Sequence, residues 1–234
     1  MTTASAEYPR GYLFADSLAV QPTLRHGFSL ALRSEAEQDE FAAAVAAGMP
    51  VLRLTQVHGA DVLRAEDLRG RSGRAAGDAL VAAEPGVALA VATADCVPLL
   101  LADGKAGIVA AVHAGWRGMR ARVIARALEE MVKLGAEPRR MRAGIGPAVQ
   151  GGCYEVGDEV RAEFERNFPE ARTLFTDRRL DLVRAAGVEL RLAGVPDEGV
   201  SVLAICTHCR PTLSSQRREG AARGTNLSLI ALAG

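Results

Sequence analysis

Long apolar runs separated by short polar turns dominate the middle of the chain and predict strands. Residues 87–93 and 97–101 are almost continuously apolar, as are residues 107–112. Runs of this length without alternation are typical of strands that are covered on both faces. Residues 78–82 predict a further strand. We therefore expect several strands in the interior of the fold.

Helices are predicted where apolar residues recur every three or four positions between capping signals. The predicted helices are residues 34–47, 119–134, 158–167 and 181–192. Ser34 is a typical N-cap residue, and the first helix ends before Gly48. In the second helix, Val123, Ala127 and Met131 follow in steps of four, as on one face of an amphipathic helix.

Shorter apolar stretches predict outer strands. They are residues 24–32, 51–57, 61–63, 200–206 and 227–232. Because only a short turn separates the second from the third, we interpret the two as a hairpin with His58 at its turn. Residues 143–155 are rich in glycine and predict a loop. The expected fold class is α+β, in one domain over residues 1–234 whose first ten residues are loose.

The balance of charge bears on the partners of the protein. The chain has 234 residues, of which 49% are hydrophobic, with 28 basic and 28 acidic residues and a formal net charge of zero. This composition supports a folded core, and it supplies no overall field that attracts nucleic acid or an anionic membrane. We expect neither as a partner, and the sequence leaves the oligomeric state open.

Cysteine content and the length of the apolar runs bear on the compartment. Four cysteines in a chain of this size do not make a disulfide framework. Residues 1–16 lack the apolar core of a secretory signal. The longest apolar stretch, residues 87–102, contains Asp95 and is shorter than the roughly 20 residues of a membrane helix. We therefore expect a cytoplasmic protein whose thiols stay reduced.

Three segments place a histidine or cysteine at the end of an apolar run, beside glycine or proline. They are TQVHG (55–59), ADCVP (94–98) and VHAGWRG (112–118). A strand that delivers a polar residue at its tip is a common way to build a site on a rigid scaffold. His58, Cys96 and His113 can supply three of the four ligands of zinc and leave one position open, as in catalytic zinc sites. Their separations are too long for a zinc finger, so the metal hypothesis rests on their shared position at strand ends.

The same residues permit a site without metal. Cys96 and His113 can act as nucleophile and base, because a nearby histidine activates a thiolate. Asp95 would then be a neighbour and not the orienting third group, since adjacent strand residues point to opposite faces. The residue pattern leaves both interpretations open.

Two other motifs carry weaker signals. The segment GIGP (144–147) begins like a dinucleotide fingerprint, but the proline and the poor strand–loop–helix context argue against a nucleotide cofactor there. Cys206 and Cys209 have the C-x-x-C spacing, yet one such pair cannot fill a structural zinc site and the sequence has no second pair. We interpret these two cysteines as the end of a strand.

Several motifs together resemble one known family. They are TQVHGADV (55–62), GDALV (77–81), PGVALAVATADCVPLLL (85–101), AAVHAGWRG (110–118), GIGPAVQGGCYEVG (144–157), and CTHC with SSQRREG (206–220). With these motifs, residues 22–232 resemble the multicopper polyphenol oxidase or laccase-like family. Bacterial members of this family are also called YfiH-like purine nucleoside phosphorylases and peptidoglycan editing factors.

The resemblance implies layered mixed sheets flanked by helices, and a metal held by His58, Cys96 and His113. It implies phosphorolysis of adenosine, inosine and methylthioadenosine, with deamination of adenosine as a side activity. The implied cofactor is Zn²⁺, which can lower the pKa of a bound water toward about 7, and Cu²⁺ is the other ion that these ligands suit. The implied partners are a purine nucleoside and phosphate.

Phosphorolysis also requires groups that hold phosphate and nucleoside. Arg117 follows one histidine motif and Arg218 lies in the late QRR motif, and a guanidinium binds phosphate through two hydrogen bonds. Gln56 and Asp78 are candidates for hydrogen bonds to purine or ribose. Tyr154 is a candidate for stacking on the substrate. With this resemblance, the sequence predicts five substrate-binding residues around the three metal ligands.

Three other functions fit the same residues. Copper-dependent polyphenol oxidation (laccase activity) would use the same ligands, but several copper centres need more than the four histidines of this chain. A cysteine hydrolase would use Cys96 and His113 to cleave an amide such as that of a cell-wall peptide. A metal-stabilised accessory protein in cell-wall assembly would turn over no nucleoside. The connection after HGFSLAL (26–32) is shorter than is usual in the family, which leaves the substrate open.

Overall fold

The computed structural model describes residues 11–233, and its main elements are strands gathered into two larger sheets. The strands are β1 (Tyr12–Leu13), β2 (Leu24–Leu32), β3 (Val51–Arg53), β4 (Val62–Arg64), β5 (Ala79–Ala82), β6 (Ala88–Thr93), β7 (Val97–Asp103), β8 (Ile108–Ala114), β9 (Arg142–Ile145), β10 (Phe175–Thr176), β11 (Arg179–Leu180), β12 (Val200–Val202) and β13 (Thr225–Leu232). The α-helices are α1 (Asp16–Ala19), α2 (Glu35–Ala46), α3 (Trp116–Arg120), α4 (Val123–Lys133), α5 (Asp158–Asn167), α6 (Leu182–Leu192) and α7 (Gln216–Glu219). The loose start expected for residues 1–10 lies outside the described residues, so the extent of the domain over residues 1–234 stays a prediction.

Both sheets mix parallel and antiparallel pairing. The first has the order β1-β2-β13-β6-β3, in which only the β3–β6 pair is parallel. The second has the order β12-β9-β7-β8-β5-β4, with parallel pairs at its two edges and antiparallel pairs between them. Strands β10 and β11 form a separate small hairpin.

The two sheets pack face to face, with helices on their outer surfaces. Leu100 in β7 belongs to the apolar cluster between the sheets, together with Leu89 and Ile230 of the first sheet. Leu99, the next residue back in β7, belongs to the cluster that also contains residues of α4 and α6. Helix α2 covers the far side of the first sheet through a third cluster that includes Phe41. The expectation of layered mixed sheets flanked by helices is therefore confirmed.

Most elements that were predicted from strong periodicity are confirmed. β2 occupies residues 24–32 as expected, and β6, β7 and β8 match the three apolar runs within a few residues. Every residue of β7 and β8 is buried, in agreement with strands covered on both faces. Helix α2 begins after Ser34, whose hydroxyl accepts the N–H of Glu37 while the Glu37 carboxylate accepts the N–H of Ser34.

The predicted hairpin around His58 is wrong. β3 pairs with β6 in the first sheet, whereas β4 pairs with β5 in the second sheet, and both pairs are parallel. The segment that carries His58 therefore crosses from one sheet to the other. Alternating apolar residues indicate strands, but they do not state which strand is the partner, and here both partners come later in the chain.

Three further predictions were wrong in their boundaries. The helix expected over residues 119–134 is two helices, because Arg122 has a φ of 64° and its guanidinium binds the buried carboxylate of Glu189. The last part of the segment 200–206 is not strand, since β12 ends at Val202. The beginning of the expected loop 143–155 is strand β9. In each case a partner distant in sequence decided the local structure.

Within the described residues 11–233, no helix is both long enough and apolar enough to cross a membrane.

Candidate metal centre

Three separate segments bring His58, Cys96 and His113 together. The ligating atoms of these three side chains all lie within 4.8 Å of one another. His58 comes from the crossing between β3 and β4, Cys96 from the turn between β6 and β7, and His113 from β8. The two imidazole rings are nearly perpendicular, with centroids 4.8 Å apart. The structure thus gathers the three residues that the sequence proposes as metal ligands.

Strand pairing explains why Cys96 and His113 meet. β7 and β8 are antiparallel neighbours, and Pro98 in β7 lies opposite His113 in β8. The turn before β7 therefore lies beside the end of β8. Asp95 in this turn has a φ of 90°, and its carboxylate accepts hydrogen bonds from the Thr207 hydroxyl at 2.6 Å and from the N–H of Arg217 at 2.8 Å. These contacts hold the turn in a backbone conformation that is rare for a residue other than glycine.

Asp78 holds the histidine side of the site in place. Its side chain is fully buried, and Oδ1 accepts a hydrogen bond of 2.8 Å from Nδ1 of His113. The same carboxylate accepts the backbone N–H groups of Val57, His58 and Gly59. Because Nδ1 of His113 is engaged, Nε2 is the nitrogen left to face the site. A carboxylate behind a ligating histidine in this way orients the ring and raises its basicity.

The charges within the site favour the thiolate of Cys96. Burial by itself raises the pKa of this thiol, but hydrogen bonds with His113 and His58 outweigh burial and lower the pKa to about 7. For His113, burial lowers the pKa, whereas hydrogen bonds to Asp78 and Cys96 raise it to about 9. The thiolate is the form that binds metal and the form that acts as a nucleophile.

Two glycines permit the close approach of these segments. A Cβ atom on Gly115 would lie 2.9 Å from Sγ of Cys96 and 3.3 Å from Cδ2 of His58. A Cβ atom on Gly118 would lie 2.7 Å from the carbonyl oxygen of Gly59. The glycines of the HAGWRG segment are therefore required by contacts with two other parts of the site.

The donor set fits a borderline or soft metal ion. Two imidazole nitrogens and one thiolate are typical ligands of zinc and are also suited to copper. His58 is exposed, Cys96 is half-buried and His113 is buried, so the cluster opens to solvent on the side of His58. Three protein donors with an open side match the arrangement of catalytic zinc sites.

Gln56 and Arg117 lie close to the triad in sequence but have different surroundings. The Gln56 amide forms two hydrogen bonds with the backbone of Ala92, of 2.7 and 2.8 Å, which anchors the His58 segment to β6. Arg117 is exposed on α3, and its guanidinium lies 4.5 Å from the ring centroid of Trp116. No ion pair of Arg117 is found within residues 11–233. Arg117 is therefore available to an anion, whereas the Gln56 amide already has partners.

Tyr154 lies on the Cys96 side of the site. Burial raises the pKa of its hydroxyl to about 12, and the negative charge of Cys96 adds to this effect. The guanidinium of Arg217 lies 4.4 Å from the centroid of the Tyr154 ring and donates to the carbonyl oxygen of Glu155 at 2.7 Å. The sequence pattern favoured the neighbouring Arg218 for substrate binding and did not single out Arg217. The QRR motif indicated that an arginine of this segment is functional. Only the tertiary contacts distinguish Arg217, which lies on the Tyr154 ring, from Arg218.

Arg218 is occupied by the chain itself. Its guanidinium donates to the carbonyl oxygens of Thr207, His208 and Leu213, and it also binds the carboxylate of Glu219. These contacts fix the turn that follows β12. Together with the contacts of Asp78 and Gln56, they favour positioning roles for three of the five residues that the sequence suggests for substrate binding. The direct contact of any of the five with substrate stays a prediction.

The triad lies outside a cavity that the structure forms elsewhere within the described residues. A cavity of about 680 Å³ lies between α2, β3 and residues 68–75, and it is lined by charged side chains that include Arg53, Arg74 and Asp39. Its position is separate from His58, Cys96 and His113. The candidate site is thus identified by the chemistry of its side chains and not by the size of a pocket.

Residues 33–233 match the family described as "Multi-copper polyphenol oxidoreductase laccase". A "Purine nucleoside phosphorylase" of Deinococcus radiodurans is 48% identical over 151 residues, which are 64% of this chain and 58% of that protein. "Adenosine deaminase RL5" of an unknown prokaryotic organism is 40% identical over 160 residues, which are 65% of this chain and 61% of that protein. The chain thus aligns with about three fifths of the length of each of these relatives.

The fold is also similar to solved structures. The crystal structure of YlmD from Geobacillus stearothermophilus superposes with a TM-score of 0.86 at 25% sequence identity, and the match covers 98% of each chain. This likeness extends over both sheets and the flanking helices. The mixed α/β architecture predicted from the sequence is thereby confirmed.

Proposed function

Because the chain belongs to the multi-copper polyphenol oxidoreductase laccase family, we propose that it is a metal-dependent purine nucleoside phosphorylase with adenosine deamination as a side activity. The names of the two relatives support an enzyme of nucleoside chemistry. The observation that carries the proposal is the cluster of His58, Cys96 and His113 braced by Asp78. The proposed substrates are adenosine, inosine and methylthioadenosine with phosphate.

In this proposal, His58, Cys96 and His113 hold a Zn²⁺ ion. When bound, the ion supplies a Lewis acid at the open side of the cluster. Asp78 fixes the His113 ring through Nδ1, so Nε2 is the nitrogen that would hold the ion. The hydrogen bonds that lower the pKa of Cys96 to about 7 raise its fraction of thiolate, the form that binds metal.

The residues around the cluster have proposed roles in binding. Arg117 is exposed on α3, four residues after His113, and suits phosphate, which a guanidinium binds through two hydrogen bonds. Tyr154 and the arginine stacked on it, Arg217, form a flat surface on the Cys96 side that suits a purine ring. In phosphorolysis, a phosphate oxygen bonds to C1′ of the ribose while the C1′–N9 bond breaks. The base leaves with the electron pair of that bond and takes up a proton.

A phosphate-dependence assay tests the proposal. The purified protein is offered adenosine, inosine and methylthioadenosine with and without phosphate, and the products are separated by chromatography while bound metal is counted. We expect free base and the corresponding sugar 1-phosphate only when phosphate is present: ribose 1-phosphate from adenosine and inosine, and 5-methylthioribose 1-phosphate from methylthioadenosine. We expect inosine from adenosine in either condition. Cys96→Ala should abolish both reactions, whereas His208→Gln, at a histidine outside the triad, should retain them. Absence of turnover with any nucleoside by the metal-loaded protein would refute the proposal.

The same geometry also suits a second function, that of a cysteine hydrolase. The Cys96 sulfur lies within 4.8 Å of the His113 ring nitrogen, and His113 in turn binds Asp78, in the order nucleophile, base and orienting carboxylate. The orienting group is Asp78, which directly precedes β5, and not the adjacent Asp95. The substrate class is an amide such as that of a cell-wall peptide.

Chelation separates these two functions. A phosphorylase that depends on the metal loses activity with a chelator and regains it with Zn²⁺. A cysteine hydrolase is inactivated by iodoacetamide and keeps its activity after chelation. Polyphenol oxidation with several copper centres is the least supported of the candidate activities, because the whole chain contains four histidines.

A further inference from the structure

A second group of metal-ligating side chains lies apart from the triad. The sulfur atoms of Cys153, Cys206 and Cys209 all lie within 4.8 Å of one another. Cys153 comes from the short turn Gly151–Cys153 before α5, and the other two come from the C-x-x-C turn after β12. The sequence offered one C-x-x-C pair and no second pair. The fold supplies the missing third sulfur from a residue more than 50 positions away.

The distances between the sulfurs suit a shared ion better than a disulfide. Sγ of Cys153 and Sγ of Cys209 are 3.4 Å apart, and all three cysteines are unbridged. A disulfide requires about 2.05 Å between sulfur atoms. Metal–sulfur bonds of about 2.3 Å in a tetrahedral arrangement place the sulfurs roughly 3.8 Å apart. Small side-chain adjustments bring the three sulfurs to that spacing.

A backbone donor faces the sulfur of Cys206. The N–H of Gln150 points to this sulfur at 3.5 Å. Hydrogen bonds from backbone N–H groups to a ligating sulfur compensate its negative charge and fix its direction. The Gln150 N–H gives the sulfur of Cys206 a donor of this kind.

The turn that carries the two later cysteines is held before any ion binds. Arg218 donates to the carbonyl oxygens of Thr207 and His208 at 2.5 and 2.9 Å, which keeps the turn closed. The Thr207 hydroxyl is fully buried and binds the carboxylate of Asp95. A ligand set on a fixed turn loses little conformational entropy when an ion binds.

We propose that Cys153, Cys206 and Cys209 form a second metal site, for a soft d¹⁰ cation such as Zn²⁺ or Cu⁺. Thiolate ligands select these ions over the hard cations. The thiols release their protons to solvent as they bind. Cys209 is exposed, so a fourth ligand from solvent can complete the tetrahedron of Zn²⁺, whereas Cu⁺ is satisfied by three thiolates. The proposal does not depend on the proposed nucleoside chemistry.

An ion at this site would clamp two segments beside the triad. One segment leads from Cys153 directly into Tyr154, and the other contains Thr207, the partner of Asp95. Occupancy would therefore restrain both the Tyr154 ring and the turn that carries Cys96. We expect the second ion to stabilise the fold and to act on the first site only through these positions.

Cobalt titration in a Cys96→Ser background tests the site. With the thiolate of the first site removed, any sulfur-to-Co²⁺ charge-transfer band must come from the second cluster. We expect about one equivalent of Co²⁺ to bind with such a band under anaerobic, reducing conditions, and Zn²⁺ to displace it. Adding Cys153→Ser should weaken binding at least tenfold.

The reciprocal control is Cys153→Ser alone, which should retain the band of the first site. Absence of the band in Cys96→Ser, or a band that Cys153→Ser leaves unchanged, would overturn the proposal.

Thiol footprinting tests metal binding by the three cysteines in the protein without any substitution, so a variant that fails to fold cannot affect the result. The reduced, metal-free protein is pulse-labelled with an alkylating agent, with and without Zn²⁺ or Cu⁺, and the labelled cysteines are mapped by mass spectrometry. We expect the ion to slow labelling of Cys153 and Cys209 by tenfold or more. Equal labelling with and without both ions, or a disulfide between Cys153 and Cys209 that persists in reductant, counts against the site.

Discussion

Nδ1 of His113 donates a hydrogen bond of 2.8 Å to Oδ1 of Asp78, and the same carboxylate accepts the backbone N–H groups of His58 and Gly59. One buried carboxylate therefore orients two of the three donors of the candidate metal centre. This relationship makes Asp78 the structural link between the β3–β4 crossing and β8.

Substitution of Asp78 by Asn should weaken metal binding while the three ligands remain intact. An amide presents one acceptor oxygen in place of two, so it cannot hold both the His113 ring, which binds Oδ1, and the Gly59 N–H, which binds Oδ2. Loss of such a partner typically costs about 10–100-fold in metal affinity. The measurement is a competition titration of Zn²⁺ against a chromogenic chelator.

Asp103→Asn is the matched control for this substitution. Asp103 is also fully buried, and it accepts hydrogen bonds from the N–H of Glu137 and from Arg140. It lies at the far end of β7 from the triad, so its loss should reduce stability without changing metal affinity. Equal zinc affinity in Asp78→Asn and the parent protein would show that Asp78 does not position the ligands.

Gly115→Ala should damage the metal centre through a steric contact. The added Cβ would lie 2.9 Å from Sγ of Cys96, so the sulfur or the α3 turn must move. We expect zinc affinity to fall by about tenfold or more, a loss comparable to that caused by displacing the support of a ligand. The same competition titration measures the change.

Gly187→Ala provides the contrasting substitution. Gly187 lies inside α6, and a Cβ atom there would meet nothing within 4 Å. Alanine is the better helix former, so stability should rise by about 0.5–1 kcal/mol and zinc affinity should stay the same. The steric argument would fail if both glycine variants bound zinc like the parent protein.

The stability of the fold should fall as the pH drops from about 6.5 to about 4, because of His26. Burial lowers the pKa of this residue from 6.5 to about 4, against smaller opposing effects of the Ala15 backbone and the Asp16 carboxylate. The N–H of Ala15 donates to Nε2 of His26 at 2.9 Å, a bond that needs the neutral ring. The unfolded chain therefore binds the proton first in this range, and up to about 3 kcal/mol is lost by pH 4.

Urea unfolding at a series of pH values measures this effect. His26→Gln removes the titrating ring and retains an amide that can accept the Ala15 N–H. The slope of unfolding free energy between pH 6.5 and pH 4 should be smaller in this variant than in the parent protein. Identical slopes would mean that other groups produce the acid sensitivity.

The ion pair between Arg122 and Glu189 should be visible as a coupling in a double-mutant cycle. The Glu189 side chain is fully buried, and Arg122 is its partner from the break between α3 and α4. Arg122→Met leaves a buried carboxylate without its cation, and we expect a loss of about 2–4 kcal/mol in unfolding free energy. Adding Glu189→Gln should recover part of this loss. Additive effects in thermal or urea unfolding would indicate that the pair contributes no coupling.

The local sequence pattern predicted correctly those elements that form in the same way whichever segments pack against them. Burial on both faces produces an unbroken apolar run, which predicted β7 and β8. A capping residue next to a helical pattern predicted the start of α2 at Ser34. The pattern failed where two distant segments decide the outcome. The sequence around His58 resembles a hairpin, but β3 pairs with β6 and β4 pairs with β5. The predicted amphipathic helix is interrupted at Arg122, whose side chain binds Glu189.

The candidate site shows the same division. The sequence predicted the three donor residues of the site, His58, Cys96 and His113. It also predicted their place at strand ends, because the end of a strand is marked by the residues next to it in sequence. The partners of those donors were not readable. Asp78 was predicted to bind substrate, which stays a prediction, and its buried carboxylate is engaged with His113, a partner that the sequence did not indicate.

The amino-acid sequence by itself determined which segments are buried, where the reactive side chains stand at strand ends, and which family the chain resembles. Only the tertiary structure decided which of those side chains share a site. It placed the sulfur of Cys153 beside Cys206 and Cys209, and it separated Arg217, which stacks on Tyr154, from Arg218, which closes a turn. The physical reason is that periodicity reports burial over a few adjacent residues. Contacts between distant segments are set by how the sheets and helices pack.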